Sequence, residues 1–292
     1  MTDVVDTGTA LGRPIKRKED ARLLHGQTNW TDNIQLPGTV HMAILRSPFA
    51  HAKITHLDVS GALAMPNVVA AFGAAELGDL NSSVPCVWPV TDDMVAPDFP
   101  ALAKDTVHHV GDCVAVVLAT DAVSAVDALE AMSVDYEPLQ AVVNMESAIS
   151  PGSTLVHEDK GTNTCYVYNL GGGYDEKVKE ADVVVKRRFI NQRLIPAFME
   201  PRSVVAAPMG MSDEITMWTS TQIPHILRLL IALVTGIPEN NLRVIAPDVG
   251  GGFGGKLQIY REEILVAQLA RKLGRPVKWT ETRSEDMVAT HH

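Results

Sequence analysis

The segment 248–256 constrains this chain more than any other, because five of its nine residues are glycine and one aromatic residue, Phe253, lies among them. Glycine adopts backbone angles that other residues avoid, and it has no side chain to keep a ligand away. The segment directly follows an apolar stretch, residues 242–246, that is typical of a β-strand. We therefore expect a loop at the end of a strand whose backbone amides contact a polar ligand.

Size, charge and cysteine content exclude several classes of protein. The 292 residues suit one large domain or two ordinary ones, and 46% are hydrophobic, which is enough for a core. The net charge of −10 argues against nucleic-acid binding, because phosphate contacts need clustered Lys and Arg. The three cysteines are widely spaced and form no CxxC pair, so they indicate no disulfide framework, zinc site or iron-sulfur cluster. No apolar run reaches the about 20 residues that cross a bilayer, and the acidic N-terminus lacks a secretory pattern, so we expect a cytoplasmic protein.

The first half of the chain is predicted to be α/β. Strands are expected at 40–45 and 68–72, and the continuous apolar run 112–119 is typical of a central strand. Thr120 is predicted to cap a helix in which alanine, valine and leucine recur at helical spacing from Ala122 to Leu129. With a further strand at 134–136, this succession predicts a small α/β layer.

The second half is predicted to contain strands and helices after a linker. A stretch rich in glycine, serine and proline predicts the linker at 146–164. The predicted strands are 183–189, 203–207, 214–219, 242–246 and 276–280, and the predicted helices begin near Pro224 and at 259. The resulting division is an N-terminal extension at 1–19, a first domain at 20–145, the linker, and a second domain at 165–292.

Two common loop motifs fit the glycines imperfectly. The loop matches G-x-x-x-x-G-K, but Leu257 stands where a phosphate-binding loop needs Ser or Thr to hold Mg²⁺. Gly250, Gly252 and Gly255 match the dinucleotide pattern G-x-G-x-x-G, with Glu281 as a candidate for the ribose-binding acid. Glu281 is farther from the loop than the usual ~20 residues, and little chain follows for a full doubly wound sheet. Dinucleotide binding is therefore the lesser alternative.

A family resemblance is carried by several segments in order along the chain. Thr-Ser-Thr-Gln-Ile-Pro-His at 219–225, Arg-Val-Ile-Ala-Pro-Asp at 243–248 and the glycine loop resemble the large, molybdopterin-binding subunit of the xanthine oxidase family of molybdenum hydroxylases. Further segments are similar to the same subunit, and more narrowly to its aerobic carbon monoxide dehydrogenase branch: 17–26, 46–52, 64–66 and 199–202. The resemblance implies an α/β-hammerhead domain over 20–145, followed by the first part of a molybdopterin-binding domain.

The resemblance also implies which residues contact the cofactor. Gln222 matches the glutamine that approaches an oxo group of molybdenum, where a neutral amide supports the oxo group without competing as an anionic ligand. Gly251, Gly252, Phe253 and Gly254 match the backbone that contacts the cofactor, with Phe253 walling the pocket against water. We expect the Gln222 side chain to point toward the Phe253 backbone across open space. The alternatives are a helix cap for Gln222 and a simple tight turn for the loop.

Four other motif residues have less specific implications. We expect Glu200 to form a salt bridge with a nearby arginine and His225 to be structural. Lys256 either attracts anionic cofactor groups or lies in solvent. Purine-oxidising members have a glutamate where this chain has Leu257, which argues against xanthine and leaves carbon monoxide, aldehydes and N-heterocycles open.

The resemblance finally implies an incomplete active site. The substrate loop and the general-base glutamate of the family correspond to positions beyond His292, so we expect no catalytic residue, no direct metal ligand and no hydroxylase activity in the chain alone. The implied cofactor is molybdopterin in its cytosine dinucleotide form, and substrate is hydroxylated with oxygen from water. The implied partners are an FAD-binding medium subunit, a 2Fe-2S small subunit and the remainder of the large subunit, in a dimer of heterotrimers. A fragment, a split subunit and a non-catalytic assembly module remain open.

Overall fold

The computed structural model describes residues 11–86, 88–210 and 213–290, and the predicted mixed α/β class is confirmed. Their strands are β1 (Val40–Arg46), β2 (Ala52–Asp58), β3 (Val68–Gly73), β4 (Thr106–Val107), β5 (Cys113–Ala119), β6 (Ser133–Pro138), β7 (Ser203–Pro208), β8 (Ile215–Thr219), β9 (Leu242–Ile245) and β10 (Val277–Thr280). The α-helices are α1 (Asp20–Leu24), α2 (Ser60–Leu63), α3 (Ala74–Leu77), α4 (Ala122–Leu129), α5 (Met145–Ala148), α6 (Tyr174–Glu180), α7 (Pro224–Thr235), α8 (Arg261–Leu273) and α9 (Arg283–Ala289). Short 3-10 helices lie at Thr31–Asn33, Gly78–Leu80, Glu158–Lys160 and Glu239–Asn241.

Seven strands form one mixed sheet in the order β3-β5-β1-β10-β7-β8-β9. The pairs β1–β10 and β8–β9 are parallel, and the other neighbours are antiparallel. Strand β5 pairs on both sides and all its residues are buried, as its continuous apolar sequence predicts. Val40 of β1 lies opposite Val277 of β10, so the sheet joins strands from both predicted domains. The domain bounds themselves stay a prediction.

The structure contains a second, smaller sheet. It includes β6, which the sequence analysis places in one layer with β5. Its antiparallel order is β4-β2-β6. The predicted small α/β layer of β5, α4 and β6 is therefore wrong, because β5 belongs to the large sheet and β6 to the small one. Strand β6 alternates between half-buried and exposed residues, as a strand with one face in solvent does.

The residues that begin and end α4 and α7 are those that suit helix ends, but the N-cap of α4 differs from the predicted one. Asp121, not Thr120, is the N-cap of α4, and its carboxylate accepts a hydrogen bond from the Ser124 backbone N–H at 2.8 Å. Aspartate caps a helix at least as well as threonine, so the structure uses the next residue. In α7, Pro224 lies in the first turn and Gly236 ends the helix with φ of 67°, as predicted.

Helix α8 brings charged residues into the interior. It packs against β7, β10 and α7, and its residues from Arg261 to Ala270 are buried. The apolar side chains of Leu265 and Leu269 are fully buried, while Arg261 and its two following glutamates face polar partners near the start of the helix. The start of α8 therefore carries the charged network described below.

The predicted strand at 183–189 is wrong. These residues have no regular secondary structure and are exposed, and they pair with no strand among the described residues. A strand is stabilised by a partner that supplies ladder hydrogen bonds, so β-propensity alone does not produce one. In the same described ranges, no helix is both long enough and apolar enough to cross a membrane.

Candidate functional site

The glycine loop, residues 250–256, is bound directly to Gln222 at the start of α7. The Gln222 Oε1 accepts hydrogen bonds from the backbone N–H groups of Gly254 and Lys256, each at 3.2 Å. The backbone N–H of Gln222 donates in turn to the Lys256 carbonyl at 2.9 Å. The predicted open space between Gln222 and the loop is therefore wrong, because the carboxamide lies against Gly252. The two segments do meet on one surface, as the sequence predicts.

The orientation of the Gln222 carboxamide follows from these bonds. A backbone N–H can only donate, so two such donors require the carbonyl oxygen of Gln222 to face the loop. The Nε2 group is then left to donate elsewhere, and it has no acceptor among the described residues. Because Gln222 is exposed, it presents a neutral hydrogen-bond donor beside the loop.

Phe253 holds a strained conformation at the tip of the loop. Its φ is 46°, in the left-handed region that bulky residues rarely adopt, and it lies between Gly251 and Gly254 with φ of 92° and 89°. Such a conformation costs about 1–3 kcal/mol and is typical of functional sites. The ring is 75% exposed, so Phe253 lies on the surface of the described structure rather than against a pocket wall.

Three consecutive backbone amides of the loop have no acceptor in the part of the chain that the structure describes. The N–H groups with an acceptor are those of Gly250, Gly254, Gly255 and Lys256. Those of Gly251, Gly252 and Phe253 have none among the described residues. Successive N–H groups in alternating backbone conformations form a concave site for anions or polarised oxygen atoms. The loop can therefore bind such a group without any positively charged side chain.

An ion pair beneath the loop joins its two ends. Glu200 Oε2 accepts hydrogen bonds from the Gly250 N–H at 2.7 Å and from Lys256 Nζ at 3.0 Å. Lys256 Nζ also donates to the Glu200 carbonyl at 2.8 Å and lies 4.6 Å from the centre of the buried Phe198 ring. Burial lowers the pKa of Lys256. The expectation that Lys256 lies in solvent is wrong, because its side chain is buried. The expected arginine partner of Glu200 is also wrong, because Glu200 pairs with this lysine.

The start of the loop is tied to the N-terminal motif. Arg22 donates to both carboxylate oxygens of Asp248, at 2.6 and 2.5 Å, and the Asn29 backbone N–H donates to Asp248 at 2.8 Å. The bonds from Arg22 and Asn29 lower the pKa of Asp248 to about 2. Two segments more than 200 residues apart are thereby held together beside the glycine loop.

A buried network below the loop excludes one of the earlier alternatives. Glu281 is 3% exposed and forms a salt bridge with Arg202, which also contacts Glu262 at 3.2 Å. The Arg202 guanidinium stacks on Tyr260, 3.8 Å from the ring centre. Glu281 is therefore not available to bind a ribose, and the predicted dinucleotide role for this residue is wrong.

Comparison with known proteins agrees with the segments identified in the sequence. The model of the aldehyde oxidase and xanthine dehydrogenase a/b hammerhead domain matches residues 25–140, and that of the molybdopterin cofactor-binding domain matches residues 156–292. The carbon monoxide dehydrogenase large chain of Afipia carboxidovorans is 35% identical over 294 residues, which are 96% of this chain and 36% of that one. The chain belongs to the xanthine oxidase family of molybdenum hydroxylases. The hammerhead domain followed by a molybdopterin-binding domain is confirmed.

Other members of the family differ in how much of their length this chain covers. The solved structure of quinoline 2-oxidoreductase from Pseudomonas putida 86 superposes with a TM-score of 0.87 at 35% identity, over 93% of this chain and 34% of that one. The nicotinate dehydrogenase large molybdopterin subunit of Eubacterium barkeri is 30% identical, over 96% of this chain and 63% of its own length. The chain thus spans about a third of the longer relatives and a larger share of the shorter one.

The loop fits the cofactor that the family uses. A Cβ atom on Gly252 would lie 2.4 Å from Gln222 Oε1, so only glycine allows the backbone and the carboxamide to approach so closely. Three unpaired amides and the Gln222 Nε2 group supply hydrogen-bond donors, which suit phosphate and oxo acceptors. Lys256 supplies no charge to this surface because Glu200 neutralises it. The assignment of these residues to the cofactor stays a prediction.

The sequence did not reveal the ion pair that supports the glycine loop. It named Glu200 and Lys256 without recognising their mutual pair, although both lie in segments that resemble the family. His225 is exposed near the start of α7. Among residues 11–86, 88–210 and 213–290, no group of three or more His, Cys, Asp or Glu side chains is arranged to hold a metal ion.

Replacing Lys256 with methionine should lower the free energy of unfolding by about 3 kcal/mol, because it leaves the Glu200 carboxylate without its buried partner. Lys104, 57% exposed and 3.7 Å from Asp98, is the matched control, and Lys104→Met should cost at most about 1 kcal/mol. Urea denaturation measures both variants. If the effects of Glu200→Gln and Lys256→Met on the free energy of unfolding are additive in the double variant, the two side chains are not coupled and their ion pair does not stabilise the chain.

The stability of the chain should fall as pH rises from about 4.3 to about 7 because of Glu263. Burial raises the pKa of Glu263 to about 7, although its carboxylate accepts a hydrogen bond from Thr219. The folded chain then holds this proton more tightly than the unfolded chain. The contribution is complete below the unfolded pKa of about 4.3 and is lost as pH rises through about 7.

The pH dependence is tested by comparing wild type with Glu263→Gln in urea denaturation between pH 4.5 and 8. Wild type should lose about 3 kcal/mol relative to the variant across this range. A constant offset between the two stability curves, with no difference in slope, would show that the substitution altered hydrogen bonds only and that Glu263 does not titrate in this range.

Proposed function

We propose that this chain is the N-terminal part of the large, molybdopterin-binding subunit of a molybdenum hydroxylase. The observation that carries the proposal is the single surface formed by the Gln222 Nε2 donor and the unpaired amides of Gly251, Gly252 and Phe253. Family membership and the glycine-only approach of the loop to Gln222 support it. In this function the bound cofactor supplies the two-electron oxidation that hydroxylates substrate with oxygen from water.

The residues of this chain bind and orient the cofactor. The carbonyl oxygen of Gln222 is held by the loop, so its Nε2 group is positioned to donate a hydrogen bond to an oxygen acceptor. The amides of Gly251 to Phe253 are positioned to bind further oxygen atoms of the cofactor. The Glu200–Lys256 pair keeps both ends of the loop in place, which makes the donors preorganised rather than flexible.

The proposed substrate is carbon monoxide, an aldehyde or an N-heterocycle. Relatives whose names specify carbon monoxide, quinoline and nicotinate support carbon monoxide and N-heterocycles among these classes. Leu257 follows Lys256 directly and is 48% exposed beside the loop. An apolar side chain at this position provides no hydrogen bond to a polar purine ring.

Xanthine should therefore be a poor substrate of the complete enzyme. Each unpaired polar group of a buried purine costs about 1–3 kcal/mol, so kcat/KM for xanthine should be at least about tenfold below that for the best substrate. Leu257→Glu should raise the value for xanthine, while Leu257→Met should leave it unchanged. Comparable kcat/KM values for xanthine and the best substrate in the wild-type complex would reject the role of Leu257.

The remaining features of the proposed enzyme come from its family. They are the cytosine dinucleotide form of molybdopterin, an FAD-binding subunit, a 2Fe-2S subunit, a dimer of heterotrimers and a cytoplasmic location. The names of the relatives as large chains and large subunits support separate partner subunits. A division of the large subunit into two chains is a second candidate, favoured by the Eubacterium barkeri relative, of which this chain covers 63%. A non-catalytic assembly module is the remaining alternative.

The function is tested on the native complex, purified through an affinity tag on this chain. We expect molybdenum in the complex and dye-coupled oxidation of at least one of carbon monoxide, an aldehyde or quinoline. Gln222→Leu should lower turnover, because the variant lacks the Nε2 donor, and Gln35→Leu, at an exposed glutamine before β1, is the control. A complex without molybdenum and without turnover of these substrates would favour the assembly module.

A further inference from the structure

The motif at 17–26 lies against the entrance of the glycine loop, and Arg22 makes the contact. Arg22 belongs to a closed turn: the Gln27 backbone N–H donates to the Arg22 carbonyl at 2.8 Å, and Arg22 Nη1 donates to the Gln27 carbonyl at 3.3 Å. The guanidinium then donates to both carboxylate oxygens of Asp248, at 2.6 and 2.5 Å. A bidentate pair of this kind fixes the orientation of both side chains as well as their distance.

Asp248 is held through its backbone as well as through its side chain. The Asn29 N–H donates to the Asp248 carboxylate at 2.8 Å, and the Asp248 N–H donates to the Asn29 carbonyl at 3.1 Å. The Asp248 side chain is 14% exposed, so without Arg22 a largely covered carboxylate would lack the cation that balances its charge. Such a carboxylate gains free energy by turning toward water, and the backbone that carries it moves with it.

Asp248 lies two residues before Gly250, where the second support of the loop begins. The Glu200 N–H donates to the Gly250 carbonyl at 3.2 Å, and the ion pair of Glu200 with Lys256 supports the loop from beneath. The three unpaired amides at 251–253 follow directly. The path of the chain from Asp248 to Gly250 therefore sets the direction in which these amides point, and the Glu200 contacts act only from Gly250 onward.

We infer that Arg22 is a positioning residue of the glycine loop: through Asp248 it fixes the direction in which the loop begins, so that the amides at 251–253 converge on one bound group. Because its guanidinium donates to Asp248 and to the Gln27 carbonyl, Arg22 acts through Asp248 rather than on the ligand. The identity of that ligand as molybdopterin rests on the proposed function, whereas the effect of Arg22 on the order of the loop does not.

The experiment measures amide hydrogen exchange in the native complex, purified through a tag on this chain, for wild type and Arg22→Leu. The hydrogen-bonded loop amides, those of Gly250, Gly254, Gly255 and Lys256, report on the order of the loop. In Arg22→Leu, peptic peptides that cover 247–257 should exchange at least about fivefold faster, while peptides of the buried strand β5 exchange as in wild type. A change confined to the loop is local and does not reflect global unfolding.

Matched variants test whether Arg22 acts through Asp248. Arg17→Leu is the control, because Arg17 pairs with Asp20 inside the same motif and its side chain is 75% exposed; it should leave the exchange of the loop unchanged. Arg22→Lys keeps the charge without the bidentate geometry and should restore part of the protection. Asp248→Asn should accelerate exchange of the loop as well, and the double variant with Arg22→Leu should be no faster than the faster single variant.

Molybdenum content of the same complexes gives a second measurement. It should fall at least about fivefold in Arg22→Leu and recover in part in Arg22→Lys. The inference is overturned if faster exchange is confined to residues 20–29, if β5 accelerates as much as the loop, or if a molybdenum-containing wild type and Arg22→Leu hold the same amount of metal. Faster exchange of the loop in Arg22→Leu, in a complex whose wild type contains no molybdenum, would support the positioning role and contradict the proposed function.

Discussion

Replacing Arg202 with leucine should lower the free energy of unfolding by about 4 kcal/mol, because breaking a buried ion pair leaves an uncompensated charge. Arg202 is 5% exposed and bridges the buried carboxylates of Glu262 and Glu281. Its backbone also exchanges hydrogen bonds with Glu281, from the Arg202 N–H at 3.0 Å and to the Arg202 carbonyl at 2.8 Å. Since domains are stable by only about 5–15 kcal/mol, this loss should leave a large unfolded fraction at moderate urea concentration.

The matched control is an arginine of an exposed ion pair. Arg228 pairs with Glu239, and their side chains are 45% and 42% exposed, so Arg228→Leu should cost at most about 1 kcal/mol. Arg202→Lys keeps the positive charge but loses the planar guanidinium and several of its hydrogen bonds. The free energy of unfolding of this variant should therefore lie between those of wild type and Arg202→Leu. An Arg202→Leu variant as stable as Arg228→Leu would show that the network does not hold the two carboxylates together.

Replacing Gly252 with valine should remove the cofactor-binding geometry of the loop. A Cβ atom at Gly252 would lie 2.4 Å from Gln222 Oε1 and 2.6 Å from its Cδ, so the carboxamide must leave its position. The amides of Gly254 and Lys256 then lose their acceptor. Such overpacking costs about 1–3 kcal/mol. In the native complex, molybdenum content should fall at least about tenfold, as metal analysis of the purified complex would show.

Gly172→Val provides the control for Gly252→Val. Gly172 has no heavy atom within 4 Å of an added Cβ, and its φ lies outside the left-handed region. The control should retain the molybdenum content of wild type. Normal molybdenum content and turnover in Gly252→Val would contradict the assigned role of the loop, whereas a loss in both variants would point to a general folding defect.

The local elements of the fold were predicted where hydrophobic pattern and helix-end residues agree. The continuous apolar run at 112–119 becomes the fully buried β5, because a strand covered on both faces needs apolar residues at every position. Pro224 and Gly236 mark the ends of α7 because each suits the backbone angles required there. The strand prediction at 183–189 failed for the complementary reason: β-propensity describes a side chain, while a strand also needs a partner backbone.

The sequence by itself determined the family, the two kinds of domain and the proximity of Gln222 to the glycine loop, because these depend on segments whose residue order is visible in one chain. The tertiary structure decided the partners of charged residues. It paired Lys256 with Glu200 and Arg22 with Asp248, and it used Glu281 to bind Arg202. Of these three pairs, Arg22 and Asp248 lie 226 positions apart in the chain. A buried charge is neutralised by whichever opposite charge the packing brings within a few ångströms. The spacing of two residues in the sequence does not give their distance in space. Only the folded chain therefore shows which residues hold the loop.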